Sequence, residues 1–225
     1  MAIRNAAIGA GFAGFRMSGL HRLAGAATRG RGVILTFHRV RPNASTDGYA
    51  PNRGLEITPA FLASALDVVA REGFEIVSLD EAARRLVDGG GPRFAALTFD
   101  DGYRDTLQFA LPVLERRGAP FTVYCAVGFI ERSARIWWLE LEDAVRRLET
   151  VEVGPLRLPA RAPDEKAKAF ARVYQLLRRQ PEIELLEAVS GLARRAGGNV
   201  EALFDRVFKS ASSADIRSPR SGRTG

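Results

Sequence analysis

The sequence predicts an α/β fold on parallel strands, either an open sheet or a (β/α) barrel. Three observations predict it. Short apolar, β-branched runs at residues 33–37, 74–77, 95–99 and 121–126 are bounded by turn residues. Stretches with helical apolar spacing lie between them. Each helical stretch is closed by glycine before the next strand, as at Gly73, Gly89 and Gly118.

The run 33–37 ends at His38 and reads as a buried parallel strand. Thr58 then stands as an N-cap with Pro59 at the first helical position, and Phe61, Leu62, Ala65, Leu66 and Val69 form one face. After the strand 74–77, Ser78 and Glu81 have capping-box spacing and open a helix ending near Val87. The strand 95–99 runs into Asp100, Asp101 and Gly102, and a helix returns over 106–117, kinked or restarted at Pro112. A last strand is expected over 121–126. Beyond Trp137 the pattern changes to a hairpin over 151–158 around Gly154 and Pro155, then two helices opening at Pro163 and Pro181. Phe170, Val173, Tyr174 and Leu177, then Leu185, Leu186, Val189 and Leu192, recur at helical spacing and are packing faces rather than sites.

Composition narrows the function classes. With 225 residues, 46% of them apolar, the chain can bury a sizeable core, and it carries no fixed-period repeat. The net charge is +7, but only Lys166, Lys168 and Lys209 among the 33 basic residues are lysine, and the arginines are spread along the chain. Nucleic-acid binding needs a clustered basic face interleaved with aromatics, which is absent outside residues 132–138. Cys125 is the single cysteine, so no intramolecular disulfide forms; lying in an apolar run, it is expected to be a buried thiol. Residues 1–32 carry five arginines and no acid, and their apolar stretch 6–15 is interrupted by glycines and too short to span a bilayer. They are expected to form a basic helix or arm on a cytoplasmic protein without a membrane span.

The residues that carry chemistry are Asp100 and Asp101, adjacent carboxylates at the C-terminal end of a strand with Gly102 turning the chain after them. Parallel-sheet enzymes place reactive groups at this edge. Neighbouring carboxylates divide their work when one ligates a divalent metal and the other takes a proton from water. Acids that merely complement a helix dipole are the bland alternative. Tyr103 and Asp105 lie beside the pair, Asp105 in a position to cap the following helix. Trp137 and Trp138 offer a stacking platform for a sugar ring or an anchor to a core.

Thr98-Phe99-Asp100-Asp101-Gly102 matches the first motif of the polysaccharide deacetylase family, the nodulation protein B-like carbohydrate esterases that include chitooligosaccharide deacetylases. The resemblance extends to Ile34-Leu35-Thr36-Phe37-His38-Arg39-Val40, to Leu111-Pro112-Val113-Leu114 and to Gly118-Ala119-Pro120-Phe121-Thr122, so it covers residues 31 to 140. It implies a deformed (β/α) barrel, present here in part and followed by added helices. It also implies hydrolytic removal of acetyl groups from an N-acetylated polysaccharide or oligosaccharide, dependent on a Zn²⁺-type divalent metal. Carried over by position, Asp100 is the general base and Asp101 a metal ligand; His38 is the candidate additional site residue, and Tyr103 and Trp137 are candidate substrate contacts.

The chain departs from the family pattern in its histidines. The family completes its metal site with a His-(Ser/Thr)-x-x-His motif and uses a later histidine as general acid, whereas this chain holds only His21 and His38. The metal site is therefore expected to be incomplete and the chain inactive as given. The Ser-, Arg- and Gly-rich run 209–225 stands where further strands would follow, so the chain is expected to be C-terminally truncated, with a disordered tail. The division expected is an arm over 1–32, a half-barrel over 33–140, a hairpin and helical insertion over 141–208, and the tail. A non-catalytic glycan- or protein-binding module on the same fold is the rival reading. Mg²⁺-dependent phosphoryl transfer is disfavoured, because neither an Asp-x-Asp pair at the strand end nor a phosphate-binding Gly-rich loop is present.

Overall fold

The computed structural model describes residues 10–11, 13–15, 17–19, 30–42 and 48–208. The expectations for an N-terminal arm and for a disordered tail over 209–225 lie largely or wholly outside them.

The molecule is organised around one strand. β1 (Gly32–Phe37), β2 (Arg39–Val40), β3 (Glu56–Ile57) and β4 (Glu75–Val77) precede β5 (Phe94–Phe99), in which every residue is buried. β1 pairs in parallel along the whole of β5, from Gly32 opposite Phe94 to Phe37 opposite Phe99. On the other side β4 pairs with the first half of β5, and the two-residue β6 (Thr122–Val123) with its end, both in parallel. The sheet is open, an α/β arc rather than a closed barrel.

Alternation along β5 fills two cores. Leu97 and Phe99 meet Leu62 and Leu66 of α1 (Pro59–Arg71) and Val113 and Leu114 of α3 (Leu111–Glu115). Phe94 and Ala96 meet Val77 and Ala82, the latter on α2 (Leu79–Asp88). The Phe94 ring lies across Gly32, where a Cβ would stand 2.4 Å from it, so only glycine fits at the start of β1.

Several local expectations hold. Thr58 Oγ1 accepts from Phe61 N–H at 3.0 Å and caps α1. Gly89 takes the left-handed conformation after α2. The helix after the acid pair begins as a π-helical turn over Thr106–Ala110 and restarts as α3 with Pro112 in its first turn, where the missing N–H costs nothing.

Others are corrected. β1 is half-buried, with Ile34 52% exposed, because among the described residues β5 is its single strand partner and one of its faces is left uncovered. Phe61 points to solvent, and the inner face of α1 is Leu62, Leu66 and Val69. Ser78 caps Glu81 N–H, but the Glu81 carboxylate turns to Arg84 and Arg85, so the capping box is half formed. The strand expected over 121–126 is confined to Thr122–Val123, after which one last bond, Tyr124 N–H to Phe99 O at 2.8 Å, meets the end of β5. Cys125 therefore lies beyond the sheet and is exposed, not buried.

After α4 (Val127–Ile130), α5 (Trp137–Arg147) leads to the hairpin β7 (Thr150–Val153) and β8 (Leu156–Pro159), paired antiparallel. α6 (Pro163–Leu177) and α7 (Glu182–Arg195) then close a separate core in which Leu141 and Val145 of α5 meet Val173, Leu177, Val189 and Leu192. α8 (Val200–Val207) lays Leu203, Phe204 and Val207 over Tyr103, Phe129 and Ile136, beneath the loops that follow the sheet.

Candidate active site

Asp100 is held one residue beyond the β1–β5 ladder. Its N–H donates to Phe37 O at 2.9 Å, which continues the parallel pairing and brings Asp100 level with His38. His38 Nε2 lies 3.9 Å from Asp100 Oδ2, and both side chains are about one-third exposed, 33% and 36%. The residue proposed as base and the histidine proposed as its companion thus share one open edge at the C-terminal end of the central strand.

Asp101 and Gly102 both have positive φ, 69° and 71°, and together reverse the chain out of the sheet. Aspartate enters this region more readily than most residues, at a cost of about 1–2 kcal/mol. A Cβ at Gly102 would stand 3.0 Å from Cys125 Sγ, so a side chain there would crowd the sulfur as well as take an unfavourable φ. Burial raises the Asp101 carboxyl above its ordinary value and Asp100 adds to this, against the pull of His38 and of the Tyr103 hydroxyl.

Tyr103 is buried, its ring between the Arg39 guanidinium, 4.9 Å from the centroid, and the Phe208 ring, 5.2 Å away and 16° from parallel. Burial, and then the charge of Asp101, push its hydroxyl pKa well up. Tyr103 Oη, Trp138 Nε1 and Thr106 Oγ1 are buried side-chain atoms without a hydrogen-bond partner of good geometry among the described residues. Asp101 and the Trp138 N–H lie close enough to the Tyr103 hydroxyl to shift it, in opposite directions, although neither meets it at good hydrogen-bond geometry.

Asp100, Asp101, His38 and Tyr103 are therefore neighbours, whereas Trp137 is engaged elsewhere. Its ring stacks on Tyr174, with centroids 5.0 Å apart, against the helical core. Successive helical residues diverge by about 100°, so Trp138 is the one that packs with Tyr103 and Phe129. Asp105 does not cap the following turn: both of its oxygens are used, by Arg39 and by Val40 N–H. Arg39 is the functional neighbour that motif reading passed over. Its signal is a charged residue just past the end of the apolar strand run 33–37.

A hydrolytic zinc centre takes three protein ligands. Among the described residues no group of three or more His, Cys, Asp or Glu side chains is placed to hold a metal ion. The donors among the described residues do not complete the implied site.

Residues 88–154, which include β5, the acid pair and Tyr103, match the polysaccharide deacetylase family model, so the resemblance carried by the motif is borne out over that segment. No curated protein matches the chain. Among solved structures, the chain is similar to IcaB from Ammonifex degensii, at 29% identity over 42% of this chain and 37% of that one, with a TM-score of 0.35. It is also similar to the Streptococcus pyogenes deacetylase PplD, at 25% identity over 45% of each chain and a TM-score of 0.39. BC0361, a polysaccharide deacetylase from Bacillus cereus, shares 18% identity over 42% of this chain and 29% of that one, with a TM-score of 0.33. The chain thus spans less than half the length of these proteins. The similarity to the family lies in the matched segment and its motif, not in overall superposition.

Proposed function

We propose that this chain carries the acid edge of a carbohydrate de-N-acetylase, acting on an N-acetylated polysaccharide or oligosaccharide of the chitooligosaccharide type. The observation that supports it is the placement of Asp100 and Asp101 at the end of the central buried strand, beside His38, within the matched segment. In the reaction, water attacks the acetyl carbonyl carbon, the C–N bond breaks, and acetate and a free amine leave. Asp100, exposed at the edge, is the base that takes the proton from water. His38 orients that carboxylate and, when protonated, is the nearby donor for the departing amine. Asp101 is the carboxylate this chain would offer to a divalent, Zn²⁺-type ion, although no group of three or more such donors is placed to hold one among the described residues. Tyr103 lines the same edge as a candidate substrate contact.

The incomplete donor set favours a second reading, a non-catalytic glycan-binding module. Acetate release from N-acetylglucosamine oligomers, assayed with zinc supplied, separates the two. Release that Asp100→Asn abolishes supports the enzyme; oligomer binding without release supports the module; neither binding nor release rejects both. No helix among the described residues is long and apolar enough to cross a membrane. A cytoplasmic location is retained as part of this reading, since the lone cysteine requires no oxidising compartment.

A further inference from the structure

The loop from Asp100 to Asp105 is pinned at both ends to the segment from Phe37 to Val40. At one end Asp100 N–H donates to Phe37 O at 2.9 Å. At the other, Asp105 Oδ1 accepts from Val40 N–H at 3.3 Å, and Asp105 Oδ2 receives Arg39 Nε at 2.8 Å and a terminal Arg39 nitrogen at 2.7 Å. The remaining Arg39 nitrogen reaches Glu56 Oε1 on β3 at 3.4 Å. The guanidinium also covers one face of Tyr103. His38 sits midway between the two pins and faces Asp100.

Arg39 and Asp105 are both buried, at 9% and 5% exposure. Burying two charges costs several kcal/mol per ion, and replacing such a pair with apolar residues of similar volume is often neutral or stabilising. Packing alone is therefore a poor reason for this pair. Asp101, a non-glycine residue at positive φ, lies between the pins, and a strained conformation persists only where its surroundings over-determine it. From this geometry we infer that Arg39, clamped on Asp105 and laid over Tyr103, is a positioning residue that holds the acid loop against the end of β1 so that Asp100 stays opposite His38. The inference deepens the de-N-acetylase reading by naming what orders its acid edge, yet its test reads geometry and not turnover.

His38 serves as the probe. Its imidazole Hε1 resonance is assigned in the full chain by comparison with His38→Gln, and the change caused by Asp100→Asn measures the contact. We expect a clear shift of His38 on Asp100→Asn in the parent chain. In the Arg39→Met, Asp105→Leu double variant we expect that shift to fall by more than half while the thermal midpoint is kept or raised. Arg39→Lys, which keeps the charge but loses the planar two-nitrogen grip, should restore part of it. An undiminished shift in a folded double variant would overturn the inference, as would a His38 resonance indifferent to Asp100→Asn in the parent. If the double variant does not fold, Asp105→Asn decides: a lost shift in the folded protein supports the clamp, and a retained one rejects it. Absence of acetate release would count against the enzymatic reading and leave this result standing.

Discussion

His38 Nε2 stands 3.9 Å from Asp100 Oδ2 because Asp100 N–H bonds to Phe37 O, the residue before the histidine. A backbone hydrogen bond thus brings level two side chains separated by more than sixty positions in sequence. Interrupting β5 should break the pair. Leu97→Ala, which empties a core site between α1 and α3, should destabilise by about 2–5 kcal/mol in denaturant titration.

Burial holds the Asp101 carboxyl above its ordinary 3.8, so the folded chain binds that proton more tightly than the unfolded chain. The stability this group contributes is full below pH 3.8 and is lost as pH rises through the folded-state value. Asp101→Asn, which keeps the shape and tolerates positive φ, removes that loss. Thermal melts should show the variant gaining on the parent between pH 3 and pH 7; an advantage confined to low pH would contradict this assignment.

Gly102→Ala meets two obstacles, a positive φ and the Cys125 sulfur. The left-handed conformation alone costs a non-glycine residue about 1–2 kcal/mol. The steric part should be relieved in a Cys125→Ala background, so a double-mutant cycle measured by urea titration should show positive coupling.

Cys125 is exposed beyond the end of β6. Ellman's reagent should modify it in the folded protein, without denaturant, with one equivalent of thiol released.

Removing one partner of the Arg39–Asp105 pair leaves a buried charge uncompensated. Arg39→Ala should therefore cost about 3–5 kcal/mol, far more than loss of an exposed pair such as Lys168–Asp164.

Much of this was legible in the sequence because it is local. Thr58 and Pro59, the glycine stops, the restart at Pro112 and the hairpin at Gly154 follow from the chemistry of single turns, and the strand-end position of Asp100 and Asp101 follows from the apolar run before them. What was not legible depends on partners far along the chain. The exposure of Ile34 and Cys125 reflects which strands found neighbours. The separate roles of Trp137 and Trp138 depend on which core each side of α5 meets, and the Asp105 carboxylate chose Arg39 over the nearer backbone of its own turn, a choice no local pattern records.

The proposed function requires the acid edge to face a glycan. Titrating N-acetylglucosamine oligomers into the isotopically labelled chain while following His38 Hε1 and the amides of residues 100–103 tests this without requiring turnover. It predicts saturable shifts concentrated at those positions and weakened by Asp100→Asn. Shifts absent there, or clustered instead around the helical core, would contradict it.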